Sequence, residues 1–286
     1  MTNITRIVVA LALLALPAIS RAQIIVNDTI IQERIVVKSS QFGISALNNL
    51  DTYLGSNEYC GAGIEFSHEN FRDARTGSYR WKYQTLLNTT VGIATLGRST
   101  QFTAMVAYRW SGYHPFEIGN RLKLLAGVQI QAEGGALYLP GNGNSPVSAK
   151  LRTALAASGM AIYHFPVKKK EWVARLQIDI PLAGIMFAPG FGQSYYEIFG
   201  LGDFDGTIKF AHPFNAPSWR HTLSLDIPLH YKRHSTTLRL SYTGDIYQSN
   251  INETRCHIYR HAFTFGFVKT IFKVKQENRI KAYSPY

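Results

Sequence analysis

The sequence predicts an all-β protein, a transmembrane antiparallel up-and-down β-barrel of about ten strands, with a range of about eight to twelve. Three features indicate this fold. Apolar and polar residues alternate with a period of two over many stretches, as in strands with one apolar face. After the first 22 residues, no apolar run approaches the ~18–20 residues of a membrane-spanning helix. Aromatic residues stand near the ends of several predicted strands, where a membrane-interface girdle would lie.

Residues 1–22 have the layout of a secretory signal peptide. A basic start at Arg6 precedes the apolar residues 7–19, and Ser20-Arg21-Ala22 forms a small-x-small cleavage site. Residues 23–56 are polar and loosely patterned, so we interpret them as an N-terminal periplasmic segment with a short helix near residues 46–54. Together these segments predict export in a Gram-negative cell.

Residues 57–275 alternate between strand patterns and turn residues, and they form the predicted barrel. The predicted strands cover residues 59–71, 79–96, 101–110, 121–137, 150–164, 171–182, 204–212, 218–231, 236–247 and 257–272. Short turns separate most of them, which predicts antiparallel hairpins. Residues 276–286 are a C-terminal tail.

The alternation also predicts which face each side chain occupies. The residues predicted to face lipid are Leu176, Ile178, Ile180, Leu223, Leu225, Leu238 and Leu240, and those predicted to face the lumen include Arg175, Gln177, Asp179, Asp226 and Arg239. The aromatic residues predicted at strand ends are Tyr79, Trp81, Tyr108, Trp110, Trp172 and Trp219. A soluble lipocalin-like barrel with the two faces exchanged is the alternative to this interpretation.

The charge balance narrows the class of partner. The formal net charge of +12 falls to +10 when the two arginines of residues 1–22 are removed. A basic chain can bind nucleic acid, but an exported protein rarely meets it, so we predict no nucleic-acid partner. We expect outer-membrane lipid, lipopolysaccharide and the barrel assembly machinery as partners, with a small anionic solute as a further candidate.

Several short phrases resemble a domain-of-unknown-function family of Bacteroidetes outer-membrane β-barrel proteins. They are LDTYL at 50–54, LLAG at 124–127, ASGMAIY at 157–163, PLAGIMF at 181–187, GQSYYEIF at 192–199 and FGFVK at 265–269. The resemblance covers most of residues 50–272 and is fairly specific, because the phrases occur in order. It implies an outer-membrane barrel and no assigned activity.

Two Asp-Ile-Pro-Leu phrases, at residues 179–182 and 226–229, are the clearest polar signal. In the predicted strand order, Asp179 and Asp226 lie at similar depth, two strands and ~10 Å apart. The predicted polar network of the lumen comprises Arg175, Gln177, Asp179, Arg220, Asp226, Arg239 and Asp245. An ion network that fills a narrow lumen, a selectivity ring for a solute and a paired-carboxylate hydrolase are all consistent with it. We favour the ion network, because nothing else in the sequence marks a substrate cleft.

Other candidates for chemistry carry weaker signals. Ser194 lies in a Gly-x-Ser-x-Tyr context that lacks the second glycine of a nucleophile elbow, so a structural serine is the better interpretation. His257 and His261 would face one side of a strand ~13 Å apart, too far for one metal ion. Cys60 and Cys256 are predicted to be free thiols at opposite ends of neighbouring strands, ~25–30 Å apart. We expect no catalytic, cofactor or metal site.

The sequence therefore predicts a porin-like protein of the cell outer membrane that is not an enzyme. Its predicted role is a structural or scaffold barrel, or a small passive pore, with a polar and partly plugged lumen. The alternative is an outer-membrane hydrolase of the lipase or protease type that uses residues of the barrel rim.

Overall fold

A computed structural model describes residues 32–76, 79–143, 145–168, 170–231 and 234–274. Its strands are β1 (Gln32–Asp51), β2 (Gly55–Thr76), β3 (Tyr79–Leu96), β4 (Ser99–Ile118), β5 (Leu122–Tyr138), β6 (Val147–Val167), β7 (Lys170–Phe187), β8 (Ile208–Ala211), β9 (Ser218–Tyr231), β10 (His234–Ile251) and β11 (Thr254–Val274). A short helical turn covers Tyr196–Gly200. The predicted signal peptide and C-terminal tail lie outside these residues. Within them, no helix is long and apolar enough to cross a membrane.

The strands form one closed antiparallel barrel. Each long strand pairs with its neighbours along the chain, β9 follows β7 in the wall, and β11 pairs with β1 to close the ring. The short strand β8 extends the sheet beside the end of β7. Ten strands therefore make the wall, which confirms the predicted fold class and strand number.

The number ten was reached from the sequence through two errors that cancel. Residues 32–51 are not part of a periplasmic segment, and residues 46–54 hold no helix, because β1 is the first strand of the wall. The predicted strand at 204–212 contains only the four residues of β8. The alternation of β1 was hard to recognise because, among its residues 36–51, whose burial is described, only Phe42 and Ile44 are large, apolar and exposed on the outer face.

The strands are longer than the ~10–12 residues expected for a tilted crossing of the bilayer. The ten strands of the wall range from 14 residues in β9 to 22 in β2, so the barrel wall extends beyond the hydrocarbon core. As a result, Tyr108 and Trp110 lie well inside β4 rather than at its end, contrary to the prediction.

The two ends of the barrel differ. We call the end where β1, β3, β5, β7 and β10 finish the loop end, because the connections 139–146 and 188–217 lie there. At the opposite end, which we call the turn end, only two or three residues separate consecutive strands, and β1 starts and β11 finishes there.

The polarity of the wall is the reverse of that in a soluble barrel. Outward residues such as Ile178, Leu223 and Leu240 are 42%, 52% and 41% exposed, whereas Gln177 and Arg239 are buried inside. Large apolar residues continue this outer surface on every long strand; examples are Ile64, Ile93, Val106, Ile130, Leu155 and Phe265. The predicted inward and outward orientation is therefore confirmed for these side chains.

Glycines allow β1 and β11 to approach closely where the barrel closes. A Cβ added to Gly43 would lie 1.8 Å from the carbonyl oxygen of Phe263, and one added to Gly266 would lie 1.9 Å from that of Ser40. Any larger residue at either position would force the two strands apart.

The two cysteines are free, as predicted, but the predicted separation is wrong. Both lie near the loop end, because Cys60 pairs with Asn48 of β1, and Asn48 contacts His257 of β11 at 2.9 Å. They are thus two strands and ~10 Å apart. Cys60 is exposed on the wall and Cys256 is buried, so the thiols do not meet.

Candidate functional site

Among the described residues, the lumen contains a charged network with as many acids as bases. Its seven cationic side chains are Arg109, Lys150, Arg152, Arg175, Arg220, Arg239 and Arg260, and its seven carboxylates are Asp51, Glu65, Glu69, Glu133, Asp179, Asp226 and Asp245. The structure places all seven residues of the predicted polar network on this inner face. Four of the carboxylates and four of the cations were not singled out from the sequence, because their partners lie on distant strands.

Glu69 organises the part of the network nearer the turn end. Its carboxylate accepts hydrogen bonds from Arg175 Nη1 at 2.7 Å and Nη2 at 2.9 Å, from Gln84 Nε2 at 2.6 Å, and from Arg239. Arg239 also donates to both oxygens of Asp226, at 2.5 and 2.6 Å. Two guanidinium groups therefore share two carboxylates, and the cluster is neutral.

A second cluster lies nearer the loop end, around Glu133 and Asp245. Glu133 accepts from Arg152 Nη2 at 2.5 Å and from Arg109. Asp245 accepts from Arg260 Nη2 at 2.6 Å and from Arg109 Nη2 at 3.4 Å. Arg109 is 1% exposed and links the two carboxylates across the lumen.

Asp179 lies between the two clusters and depends mainly on uncharged partners. Ser158 donates to its carboxylate at 2.5 Å, and Gln177 Nε2 donates to both of its oxygens, at 3.0 and 3.2 Å. Arg220 Nη1 is 3.7 Å from Asp179 Oδ2, an ionic contact beyond hydrogen-bond length. Each predicted acid thus has a polar or cationic partner, as expected of a carboxylate in a narrow lumen.

The two Asp-Ile-Pro-Leu aspartates do not lie at similar depth, contrary to the prediction. β7 and β9 are adjacent and antiparallel, and Asp226 pairs with Val173, whereas Asp179 pairs with Arg220. Six residues of strand therefore separate the levels of the two acids, ~20 Å along the strand. This distance removes the geometric basis for a paired-carboxylate hydrolase.

The loop end of the lumen is covered by apolar side chains and by the long connection 188–217. Tyr53, Tyr59, Leu137 and Leu139 form a buried cluster there, beneath which Lys150 Nζ contacts Asp51 Oδ2 at 2.7 Å. The connection is attached to this cluster by hydrogen bonds. The hydroxyl of Tyr53 donates to the carbonyl of Gln193 at 2.9 Å, and the hydroxyl of Tyr195 accepts from the amide of Ala149 at 2.6 Å. Burial raises the pKa of both tyrosines, so they stay neutral.

Ser194 has a structural role at the start of the helical turn. Its hydroxyl donates to Glu197 Oε2 at 3.1 Å and accepts from the amide of Glu197 at 3.2 Å. The hydrogen bond that the amide of Ser194 donates to Glu197 Oε2 at 2.7 Å, together with the one from the Ser194 hydroxyl, lowers the pKa of the Glu197 carboxyl group. Among the described residues, no group of three or more His, Cys, Asp or Glu side chains could hold a metal ion.

Two small cavities lie among these side chains. A cavity of about 50 Å³ lies among side chains that include Met105, Lys150, Arg152, Met186, Asp245 and Tyr247. A second cavity of about 20 Å³ is lined by residues that include Gln41, Glu69, Arg175, Arg220 and Ser241. A single water needs ~10–15 Å³, so these cavities have room for only a few waters.

A family model described as "Protein of unknown function (DUF3316)" matches residues 7–278. The chain belongs to this family. The family resemblance seen in the sequence is therefore confirmed at this level, while an origin in Bacteroidetes stays a prediction. No curated protein matched the chain.

Several solved structures are similar to this chain at low identity. The outer membrane protease OmpT from Escherichia coli has a TM-score of 0.42 and 6% identity, covering 86% of this chain and 99% of that one. The transport unit of the autotransporter AIDA-I from Escherichia coli has a TM-score of 0.40 and 9% identity, covering 85% and 93%. The beta domain of the Bordetella autotransporter BrkA has a TM-score of 0.39 and 12% identity, covering 81% and 98%. Similarities at TM-scores this low carry no argument about activity.

Removing the Asp226 carboxylate, which pairs with Arg239, is expected to cause a moderate loss of stability. Asp226→Ala leaves Arg239 bound to Glu69 alone, so we expect the free energy of unfolding to fall by roughly 1–3 kcal/mol. The midpoint of heat- or urea-induced unfolding, followed by the gel shift of the folded barrel, measures this loss. Asp205→Ala, in the exposed part of the 188–217 connection, is the control and should leave the midpoint unchanged. Equal midpoints for the two variants would contradict the buried pairing.

Proposed function

We propose that this protein is an outer-membrane β-barrel with a structural or scaffold role, whose lumen is closed to solutes. The observation that supports the proposal is the neutral ion network, because its side chains meet across the lumen and the two cavities described beside them have room for only a few waters. An open, water-filled channel would instead leave many of these charged groups exposed.

The membrane placement is supported by the wall. Exposed residues such as Ile64, Leu240 and Phe265 would face hydrocarbon, and the charged residues would face a sealed interior. Outer-membrane barrels have short periplasmic turns and longer outer loops. We therefore propose that the turn end faces the periplasm and that the loop end, with the 188–217 connection, faces outward. Because of this membrane placement, lipopolysaccharide and the barrel assembly machinery remain proposed partners.

The charge count also bears on the pore alternative. The basic chain made a small anionic solute a candidate partner, but the seven cations of the network are matched by seven carboxylates. The excess positive charge of the chain therefore lies outside the network. A small passive pore formed by this lumen would have no reason to prefer anions.

Conductance tests the closed lumen directly. We expect the purified barrel, inserted in a planar bilayer, to give no persistent single-channel steps at moderate voltage. The positive control is a deliberately opened barrel in which Arg109→Ala and Glu133→Ala remove a neutral pair from the network. Steps from the wild-type protein comparable to those of the opened variant would contradict the proposal and favour the pore. Fractionation that places the folded protein outside the outer membrane would contradict its location.

A further inference from the structure

The barrel wall is incomplete between β7 and β10 at the loop end. β7 continues to Phe187, but its pairing with β9 covers only the seven residue pairs from Val173↔Asp226 to Asp179↔Arg220. β9 begins at Ser218, opposite Tyr247, whereas β10 runs on to Ile251. Two long strands therefore rise on either side of a sector that β9 does not reach.

The connection 188–217 fills this sector with main-chain hydrogen bonds on both sides. β8 pairs with the end of β7, from Gly184↔Ala211 to Phe187↔Ile208. On the other side, the amide of Gln248 donates to the carbonyl of Pro217 at 3.1 Å, and that of Asn250 donates to Asn215 at 2.8 Å. The connection thus belongs to the wall and is not a loose loop above it.

The outer surface of this filling is strongly apolar. Phe210 pairs with Ile185, which places both on the same outward face, where they are 60% and 53% exposed. Phe214 is 95% exposed and continues the row through His212, whose ring centroid is 5.9 Å away. The outward face of the lipid-facing wall therefore continues onto the connection without a break.

A second aromatic row starts from the same edge of the wall. The ring centroids of Phe187 and Phe199 are 6.0 Å apart, and those of Phe199 and Phe204 are 5.6 Å apart. Phe199 is 60% exposed, and Tyr196, on the same helical turn, is 71% exposed. By contrast, the tight turns at 97–98 and 252–253 consist of a glycine and polar residues. Among the described connections at the loop end, the exposed aromatic side chains therefore belong to residues 188–217.

We propose that the 188–217 connection is part of the lipid-contacting surface, with Phe199, Phe210 and Phe214 seated against acyl chains at the interface of the outer leaflet. This rests on the membrane placement given under the proposed function. Lipid is the proposed occupant of this aromatic surface, because the surface continues the apolar outer wall that lipid would cover. Aromatic rings are also the side chains that favour the membrane interface. The connection then closes the gap on both faces of the wall. Tyr195 lies on the lumen side, and Phe199, Phe210 and Phe214 lie on the lipid side.

Environment-sensitive probes test this contact. In a Cys60→Ser background, where Cys256 remains buried, single cysteines replace Phe199, Phe210 and Phe214 and carry an NBD fluorophore. The barrels are reconstituted in phosphatidylcholine vesicles, with or without phospholipid that bears a nitroxide on its acyl chain. We expect nitroxide quenching at these sites within a factor of about two of that at a Leu240→Cys belt probe, and protection from aqueous iodide.

Two control probes distinguish a missing lipid contact from a wrong membrane placement. Arg98→Cys, in an exposed turn at the same end, should be quenched by iodide and not by lipid. Patch probes that behave like this turn probe would overturn the lipid contact while leaving the barrel in the membrane. Protection from both quenchers would also overturn it, since a second copy or another protein would then cover the patch. If the Leu240 probe is not quenched by lipid, the membrane placement itself is wrong.

Discussion

Leu240→Arg is expected to lower the stability of the membrane-inserted barrel by roughly 2–4 kcal/mol, because it places a guanidinium in the middle of the apolar belt. Leu240 is 41% exposed on the outer face and pairs with Leu225 on one side and Phe265 on the other. No polar group of a directly paired residue can therefore hold the new charge. Urea-induced unfolding in lipid vesicles, followed by tryptophan fluorescence, measures the change.

The matched control makes the same kind of change at the edge of the belt. Ile271 is 39% exposed near the turn end of β11, two residues beyond the exposed Lys269. Ile271→Arg should cost only about 0–1 kcal/mol, because the penalty for arginine falls toward the interface. Ile178→Arg should fall between the two, since Ile178 pairs with His221. If Leu240→Arg and Ile271→Arg had equal effects, the outer face would not be the lipid face.

Glu69→Ala is expected to have the largest effect of any single change in the lumen, roughly 3–5 kcal/mol of lost stability. Glu69 is 1% exposed and binds both Arg175 and Arg239. After the change, Arg239 still forms its ion pair with Asp226. Arg175, however, loses the only carboxylate that it contacts among the described residues. A buried guanidinium without a counter-ion is the costly product, and the unfolding midpoint measures it.

Two further variants show whether the cost comes from burial of the unpaired charge. Glu117→Ala removes a carboxylate that is 68% exposed and 3.4 Å from Lys123, so it should change stability by less than about 1 kcal/mol. Adding Arg175→Met to Glu69→Ala should recover part of the loss, because the unpaired cation is then gone. If the Glu69→Ala and Glu117→Ala barrels were equally stable, water would have to solvate the unpaired guanidinium of Arg175. That result would favour an open pore.

The sequence by itself determined which segments are strands and which way their side chains point. Alternation is a local property, because successive side chains of a strand face opposite sides whatever the strand pairs with. Leu223 and Ser224 could therefore be assigned to opposite faces before any neighbour was known. The same alternation failed at β1, where small residues flank Phe42 and Ile44 and weaken the pattern.

Only the tertiary structure decided which charges meet. Glu69 and Arg239 are 170 residues apart, and they are brought together because β11 returns to β1 and closes the ring. The depth of Asp179 relative to Asp226, and of Cys60 relative to Cys256, depends on strand count and register. The strand wrongly counted at 204–212 changed the first, and the uncounted β1 changed the second. Register is set by pairing with neighbouring strands, and that information is distributed over the whole barrel. The filling of the gap beside β9 by residues 188–217 has the same origin, since it depends on hydrogen bonds to two strands, β7 and β10, that are not neighbours in the chain.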